Sequence, residues 1–441
     1  MMDLGRLVPI ARRAAKPQEE GRVTDVVGLV VEGRGGRAAI GDHFQVWPAQ
    51  GGRPVEAEVV GLQGDRVLLM PLGETHGLSV GSALRRIGQA ARARIPNPIL
   101  GRVVDGLGRP LDKAPLPEDG EDAPLHGRRR NPLSRQLVDR PLGVGVRAID
   151  ACLTFGRGQR VGIFSGGGVG KSTLLGMIVR RTEADVCVIG LVGERGREVG
   201  EFVHRTLGPE GMRRSVVVAA TSADPPLVRA RGALLATAIA EHFRARGAHV
   251  LLLVDSLTRY AMALREIGLA VGEPPATKGY PPSVFAAMAR LLERAGTNDR
   301  GGSITGIYTV LVEGDEMTDP IADAARAILD GHVVLSRPLA ERGWFPAVDV
   351  LRSVSRVMPQ VASARRLALA QRVRSALATH REAEDLLSIG AYVRGANPRL
   401  DDALAVMPAL ETLLRQGIDE PARLDALDED FETALSAGRN P

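Results

Sequence analysis

Between residues 159 and 179 the chain passes from an apolar strand pattern, through a run of glycines, into an apolar helical pattern. No other stretch constrains the fold as tightly. Gln159-Arg160-Val161-Gly162-Ile163-Phe164 reads as a short strand, and Ser172-Thr173-Leu174-Leu175-Gly176-Met177-Ile178-Val179 carries apolar residues at helical spacing. The loop between them, Gly166-Gly167-Gly168-Val169-Gly170-Lys171-Ser172-Thr173, holds the Gly-Lys-Ser of a phosphate-binding loop. It departs from the full pattern at one position, where Ser165 stands in place of the first Gly. A loop so placed is expected to curl its backbone N–H groups around phosphate oxygens at the positive end of the helix. Lys171 would reach the outer phosphates, and the Ser172 hydroxyl would bind Mg²⁺. If the first position needs a positive φ, Ser165 costs roughly 1–2 kcal/mol. If it needs only a small side chain, Ser is tolerated, and neither case abolishes binding.

A chain of 441 residues is too long for one typical domain and suits two or three. No apolar run approaches the length of a membrane-spanning helix, and the first twenty residues lack the apolar core of a secretory signal. The only two cysteines, Cys152 and Cys187, sit among apolar neighbours and read as buried, reduced thiols. A net charge of +5 permits contact with nucleic acid or an anionic membrane without requiring either. Aromatic residues make up 3% of the chain, which argues against a surface that stacks unpaired bases.

Strand signals occupy residues from about 20 to 90. Val55, Ala57 and Val59 alternate with Glu56 and Glu58, and a Gly-Asp turn precedes an apolar run from Val67 to Leu72. Short strands with Gly-rich turns predict a small β-barrel over residues 1–95. A stretch rich in Pro, Gly and Arg, about 105–143, reads as a linker, and its Arg128-Arg129-Arg130 run as a solvated segment. From about 144 to 355, apolar strands alternate with helical stretches, the pattern of a parallel sheet covered by helices. The expected α/β nucleotide domain spans 96–360. Beyond it strand signals stop, and a Leu- and Ala-rich helical domain is expected over 361–441. At the other end, Arg6, Arg12, Arg13 and Lys16 alternate with Leu4, Leu7, Val8 and Ala11 in the manner of a membrane-surface helix. Pro9 inside that run opposes a helix, and a mobile terminus is the competing reading.

Two carboxylates complete a candidate constellation. Asp255 ends the apolar run His249–Val254, where it could hold a Mg²⁺-bound water beside the loop. Glu194 follows the apolar run ending at Gly193, so it would emerge at the same sheet edge, where ligands bind in open α/β sheets. There it could polarise the water that attacks a γ-phosphate; on pattern alone it could equally cap a helix or form an ion pair.

Five blocks, "GGGVGKST", "VGERGREVGEF", "LLLVDSLTRYAMALREIGLAVGEPPATKGYPPSVFA", "YTVLVEGDEMTDPIADAARAILDGHVVLSR" and "VLRSVSRVMP", together resemble the ATPase family of type III protein export. That family drives flagellar assembly and virulence injectisomes and is similar to the catalytic subunits of F-type ATP synthases. The resemblance runs from about residue 20 to the C-terminus. It implies a RecA-like P-loop ATPase core with an N-terminal β-barrel and a C-terminal helical domain, ATP and Mg²⁺ as cofactors, and a homohexamer whose sites are completed by neighbours. By motif, Glu194 matches the catalytic glutamate, Arg195 a residue near the phosphates, Asp255 the Mg²⁺-site aspartate and Arg259 an arginine close to the nucleotide. Arg356 matches the arginine finger inserted across the subunit interface. Two residues depart from the family pattern. Ser165 stands where relatives usually carry Gly or Ala, and Phe345 stands where the family usually places a Tyr against the adenine, a change that keeps stacking and loses the hydroxyl.

The resemblance also implies partners: a stator protein, a coiled-coil stalk, export-gate membrane proteins and cargo–chaperone complexes, at the cytoplasmic face of the secretion apparatus. The "ATKGYPPSVF" and "LAERG" wording is closer to flagellar members than to injectisome ones. Two other classes compete. An RNA-translocating hexamer would need basic and aromatic residues in the barrel, yet the first hundred residues hold only Phe44 and Trp47 as aromatics. A regulatory subunit that binds ATP without hydrolysing it would typically lack the glutamate that stands at 194.

Overall fold

The computed structural model describes residues 20–35, 38–89, 92–112, 114–127, 131–312 and 319–436. The basic stretch with Arg6, Arg12, Arg13 and Lys16 and the run Arg128-Arg129-Arg130 lie outside these residues.

Six antiparallel strands, β1 (Glu20–Val27), β2 (Val30–Arg34), β3 (Asp42–Trp47), β4 (Val55–Gln63), β5 (Arg66–Pro71) and β6 (Ala83–Gln89), close into a barrel in the order β1-β2-β5-β4-β3-β6. Alternation fills it: Phe44 and Val46 from β3, Ala57 and Val59 from β4, and Leu69 from β5 are all buried in its interior. The opposite faces of β2 and β5 are apolar as well. Val30, Leu68 and Met70 pack on Leu227 and Val228, which open the helix Pro226–Ala245 of the next layer. Glu58, one of the alternating polar residues of β4, is not solvated. It accepts from Arg231 Nη1 of that same helix at 2.6 Å, an ion pair buried on both sides.

The central sheet contains β7 (Val103–Asp105), β8 (Arg160–Ser165), β9 (Val186–Val192), β10 (Ser215–Ala220), β11 (His249–Asp255), β12 (Ser303–Leu311), β13 (Gly331–Leu335) and β14 (Val348–Ser355). Their order is β14-β13-β8-β12-β11-β9-β10-β7, parallel apart from β14. The strands are continuous apolar runs because helices cover both faces. β7 and the antiparallel pair Arg92–Pro96 with Gly120–Pro124 lie in or beside the stretch read as a linker. Part of that segment is therefore built into the fold: Pro and Gly interrupt it too often for a periodic signal, yet β7 still finds an edge at β10.

After β14 the chain is helical among the described residues. The helices Ala364–Glu382, Pro398–Leu414 and Leu427–Ser436 bury Val373, Leu410 and Phe431 in the same apolar cluster as Val144, Ile149 and Phe155. They rest directly on the sheet layer. Cys152 and Cys187 are free and buried, and burial pushes their thiols up to about 12 and about 11 respectively.

Candidate functional site

The carboxyl ends of β8, β9 and β11 meet along one edge of the sheet. β8 ends at Ser165, whose place in a strand answers the first question the sequence raised. Among the described residues only Lys278 is a non-glycine with positive φ, so Ser165 carries no left-handed strain and its small side chain suffices. The loop then turns through Gly168 and Gly170, at φ +77° and +86°, onto the helix α1 (Lys171–Arg181). Gly170 is the N-cap, and a side chain there would begin 3.2 Å from the Phe345 ring. Glycine thus serves both the backbone turn and the close approach of the aromatic. Val169 buries its side chain in the core, leaving only its backbone to the loop. Ser172 and Thr173 are exposed at the start of α1, where amide donors have no intrahelical partner.

β9 leads to Gly193, at φ +71°, where any side chain would meet Arg259 Cβ at 2.8 Å. That turn delivers Glu194 to the cleft. β11 ends in Asp255, and Ser256 caps the following helix α2 (Leu257–Ala270), its hydroxyl accepting from Arg259 N at 3.2 Å. Lys171 Nζ donates to Asp255 Oδ1 at 2.5 Å and lies 3.7 Å from Glu194 Oε1. Thr309 Oγ1 of β12 donates to the same Asp255 oxygen at 2.6 Å. One ammonium therefore stands between two carboxylates that have little access to water. Burial, and then the charge of Asp255, push the Glu194 carboxyl up to about 7 against the pull of Lys171.

Lys171 and Glu194 border a cleft of about 980 Å³, lined also by the Gly-rich loop, Ser172, Arg195 and Arg259 among others. Arg195 is exposed and ion-paired with Glu198 at 3.5 Å, and Arg259 Nη1 donates to Met262 Sδ at 3.7 Å. Phe345 is 45% exposed beside the loop, with its carbonyl accepting from Gln416 N. Arg356 is not brought into the cleft. It is exposed beyond the end of β14, its guanidinium donating to the Leu329 and Arg326 carbonyls.

Sequence reasoning missed Arg265, Lys278 and Arg337, which line the cleft; they fall inside the blocks that carry the family resemblance, but no site role was read for them. It also missed Thr309, for which a signal existed: a hydroxyl two residues before the end of a buried apolar strand. The residues fit a nucleotide triphosphate in size and charge. Among the described residues no group of three or more His, Cys, Asp or Glu could hold a metal ion by itself. A divalent cation here would be held by Ser172, Asp255 and phosphate oxygens together.

Comparison with known proteins agrees with this arrangement. Residues 145–355 match the nucleotide-binding domain of the ATP synthase alpha/beta family, residues 23–88 its beta-barrel domain, and residues 362–431 the C-terminal domain of the EscN ATPase of type III secretion. The chain is 51% identical over 428 residues to the flagellum-specific ATP synthase of Pseudomonas aeruginosa, covering 96% of this chain and 95% of the relative. It is 49% identical over 410 residues to a type 3 secretion system ATPase of Sinorhizobium fredii, covering 93% and 91%. Among solved structures, the assembled ATPase EscN of enteropathogenic E. coli superposes with a TM-score of 0.90 at 42% identity, covering 94% of this chain and all of that one. EscN in complex with its central stalk EscO gives 0.87 at 41% identity, with the same coverage.

Proposed function

The chain belongs to the family of flagellum-specific ATP synthases and type III secretion system ATPases, and from that premise we propose that it powers flagellar protein export as a homohexamer. It is an ATP hydrolase of type III export. The observation that carries the hydrolytic reading is the pair of carboxylates bridged by the loop lysine, Glu194–Lys171–Asp255, beside a Gly-rich anion cradle, and the flagellar reading is supported by the flagellum-specific relatives.

In this proposal phosphate oxygens compete with Asp255 for Lys171, drawing the ammonium onto the β- and γ-phosphates. The amides of Gly166, Gly167, Gly168, Val169, Gly170, Lys171, Ser172 and Thr173 hold the phosphate chain. Asp255, kept in orientation by Thr309, and Ser172 are the residues that would hold Mg²⁺, which when bound would neutralise charge developing on the phosphates. Glu194 orients and deprotonates the attacking water, a task suited to a carboxyl poised near neutrality. Arg195 and Arg259 add positive charge along the cleft, and Phe345 stacks on the adenine. Arg356, exposed and outside its own cleft, serves the site of the neighbouring subunit. A trans arginine contributes roughly 10³–10⁵ in rate, about 4–7 kcal/mol of transition-state stabilisation.

The ring works at the cytoplasmic face of the export apparatus, in peripheral contact with the membrane, where it releases cargo from chaperones. Its partners are a stator protein, a coiled-coil stalk and the export gate. The EscN–EscO complex supports the stalk, because EscN in that complex covers 94% of this chain. No helix among the described residues is long and apolar enough to cross a membrane. The test is a count of flagellar filaments by electron microscopy in the native strain carrying Glu194→Gln. Loss of filaments with intact basal structures is expected. Normal filaments would overturn the flagellar assignment in favour of the injectisome, and effector secretion would then be assayed.

A further inference from the structure

Ser165 carries a hydroxyl that neither strand nor loop uses. The residue is 2% exposed, and its Oγ has no hydrogen-bond partner among the described residues. Its carbonyl is already engaged, accepting from Val312 N at 3.0 Å, and it pairs with Leu311 in the parallel ladder. Because side chains alternate along a strand, Ser165 shares a face with Val161 and Ile163, which pack in the cluster that also holds Leu174 and Leu175 of α1. The hydroxyl therefore lies on the face that the phosphate loop and its helix cover.

Two spaces border Ser165. One is a small, partly open space of about 10 Å³ beside Phe164, Gly166, Val312, Val334, Leu335 and the exposed Arg352. An ordered water needs two to four polar partners, and Ser165 aside, Arg352 is the one polar side chain lining this space. The other is the nucleotide cleft, where Glu194 also stands. A buried donor left unmatched is costly, and a phosphate bound in that cleft would bring acceptor oxygens to the strand end that Ser165 occupies.

We propose that the Ser165 hydroxyl is a phosphate ligand added to the loop, donating to the terminal phosphate of the nucleotide and so favouring triphosphate over diphosphate. The inference rests on the reading of the cleft as an ATP site. It assigns the terminal phosphate because Ser165 opens the loop at the strand end, on the sheet edge that presents Glu194 and Asp255, whereas the α1 amides take the inner phosphates.

The test compares binding of Mg²⁺–adenylyl imidodiphosphate and Mg²⁺–ADP by isothermal titration calorimetry to the full chain, to Ser165→Ala and to Ser165→Gly. Glycine is the residue the loop pattern itself carries there, so that variant folds even if alanine packs poorly. Both variants are expected to bind the triphosphate analogue about tenfold more weakly, the loss of one hydrogen bond to a charged acceptor, with ADP changed less than about twofold. Equal weakening of both nucleotides, or of neither, overturns the proposal and returns the hydroxyl to a packing role. If the unaltered chain binds neither nucleotide, the ATP-site reading itself falls, and the inference with it.

Discussion

In the proposed mechanism, Glu194 has the carboxyl whose environment most directly bears on the chemistry. Burial and the neighbouring Asp255 hold it up at about 7, and it acts as a base only when ionised. The sign follows: below neutrality the proton stays on and the water is not activated. The ATPase kcat/KM of the unaltered protein is therefore expected to rise with pH through an apparent pKa near 7, the limb that reports the free enzyme. A flat profile between pH 6 and 8 would remove Glu194 from that role. Glu194→Gln is expected to lower kcat by about 10²–10⁴ while nucleotide affinity, measured by calorimetry, stays within a few-fold. Phe345→Ala should weaken nucleotide binding by about 1–3 kcal/mol if its ring carries the base, and Phe345→Tyr should leave it nearly unchanged. Of these residues, the sequence made Lys171, Glu194 and Asp255 visible because each ends an apolar run beside a glycine turn or opens a helix. Arg265, Lys278 and Arg337 stayed hidden although they lie inside the motif blocks, because which of the many arginines and lysines there turn to the cleft is set by tertiary packing.

At the level of elements, the strands and helices of the sheet layer were legible wherever a run was apolar and uninterrupted. β9 and β11 fall on the apolar runs that lead to Glu194 and Asp255. β7 was not legible, since three residues among Pro and Gly carry no period. The alternation that marked β4 was read correctly for register, yet Glu58 turned out buried because its strand faces a helix as well as solvent. That contact ties the barrel to the sheet layer. Arg231→Met should lower stability by about 3–5 kcal/mol, the cost of stranding a buried carboxylate, measured by denaturant unfolding. Combining it with Glu58→Leu should recover much of the loss, since an apolar pair leaves nothing unsatisfied. Gly193→Ala is a second element-scale prediction. It forces a left-handed backbone and a contact 2.8 Å from Arg259 Cβ, so Glu194 should be displaced and hydrolysis should fall while the fold persists.

On the scale of the whole molecule, the proposed mechanism draws its phosphate cradle, base and metal-site carboxylate from one chain, and that chain holds Arg356 away from its own cleft. Such a division makes sense if sites form between copies, and it makes activity a property of the assembly. Specific ATPase activity should rise with protein concentration, and Arg356→Ala should abolish that rise while leaving nucleotide binding largely intact. The most direct test mixes two inactive proteins, one carrying Glu194→Gln and the other Arg356→Ala, and measures ATP hydrolysis against each alone. If Arg356 serves the neighbour, mixed rings contain sites with an intact Glu194 facing an intact Arg356, and activity well above either parent is predicted. No recovery at any mixing ratio, in samples shown to assemble together, would contradict a site shared between subunits.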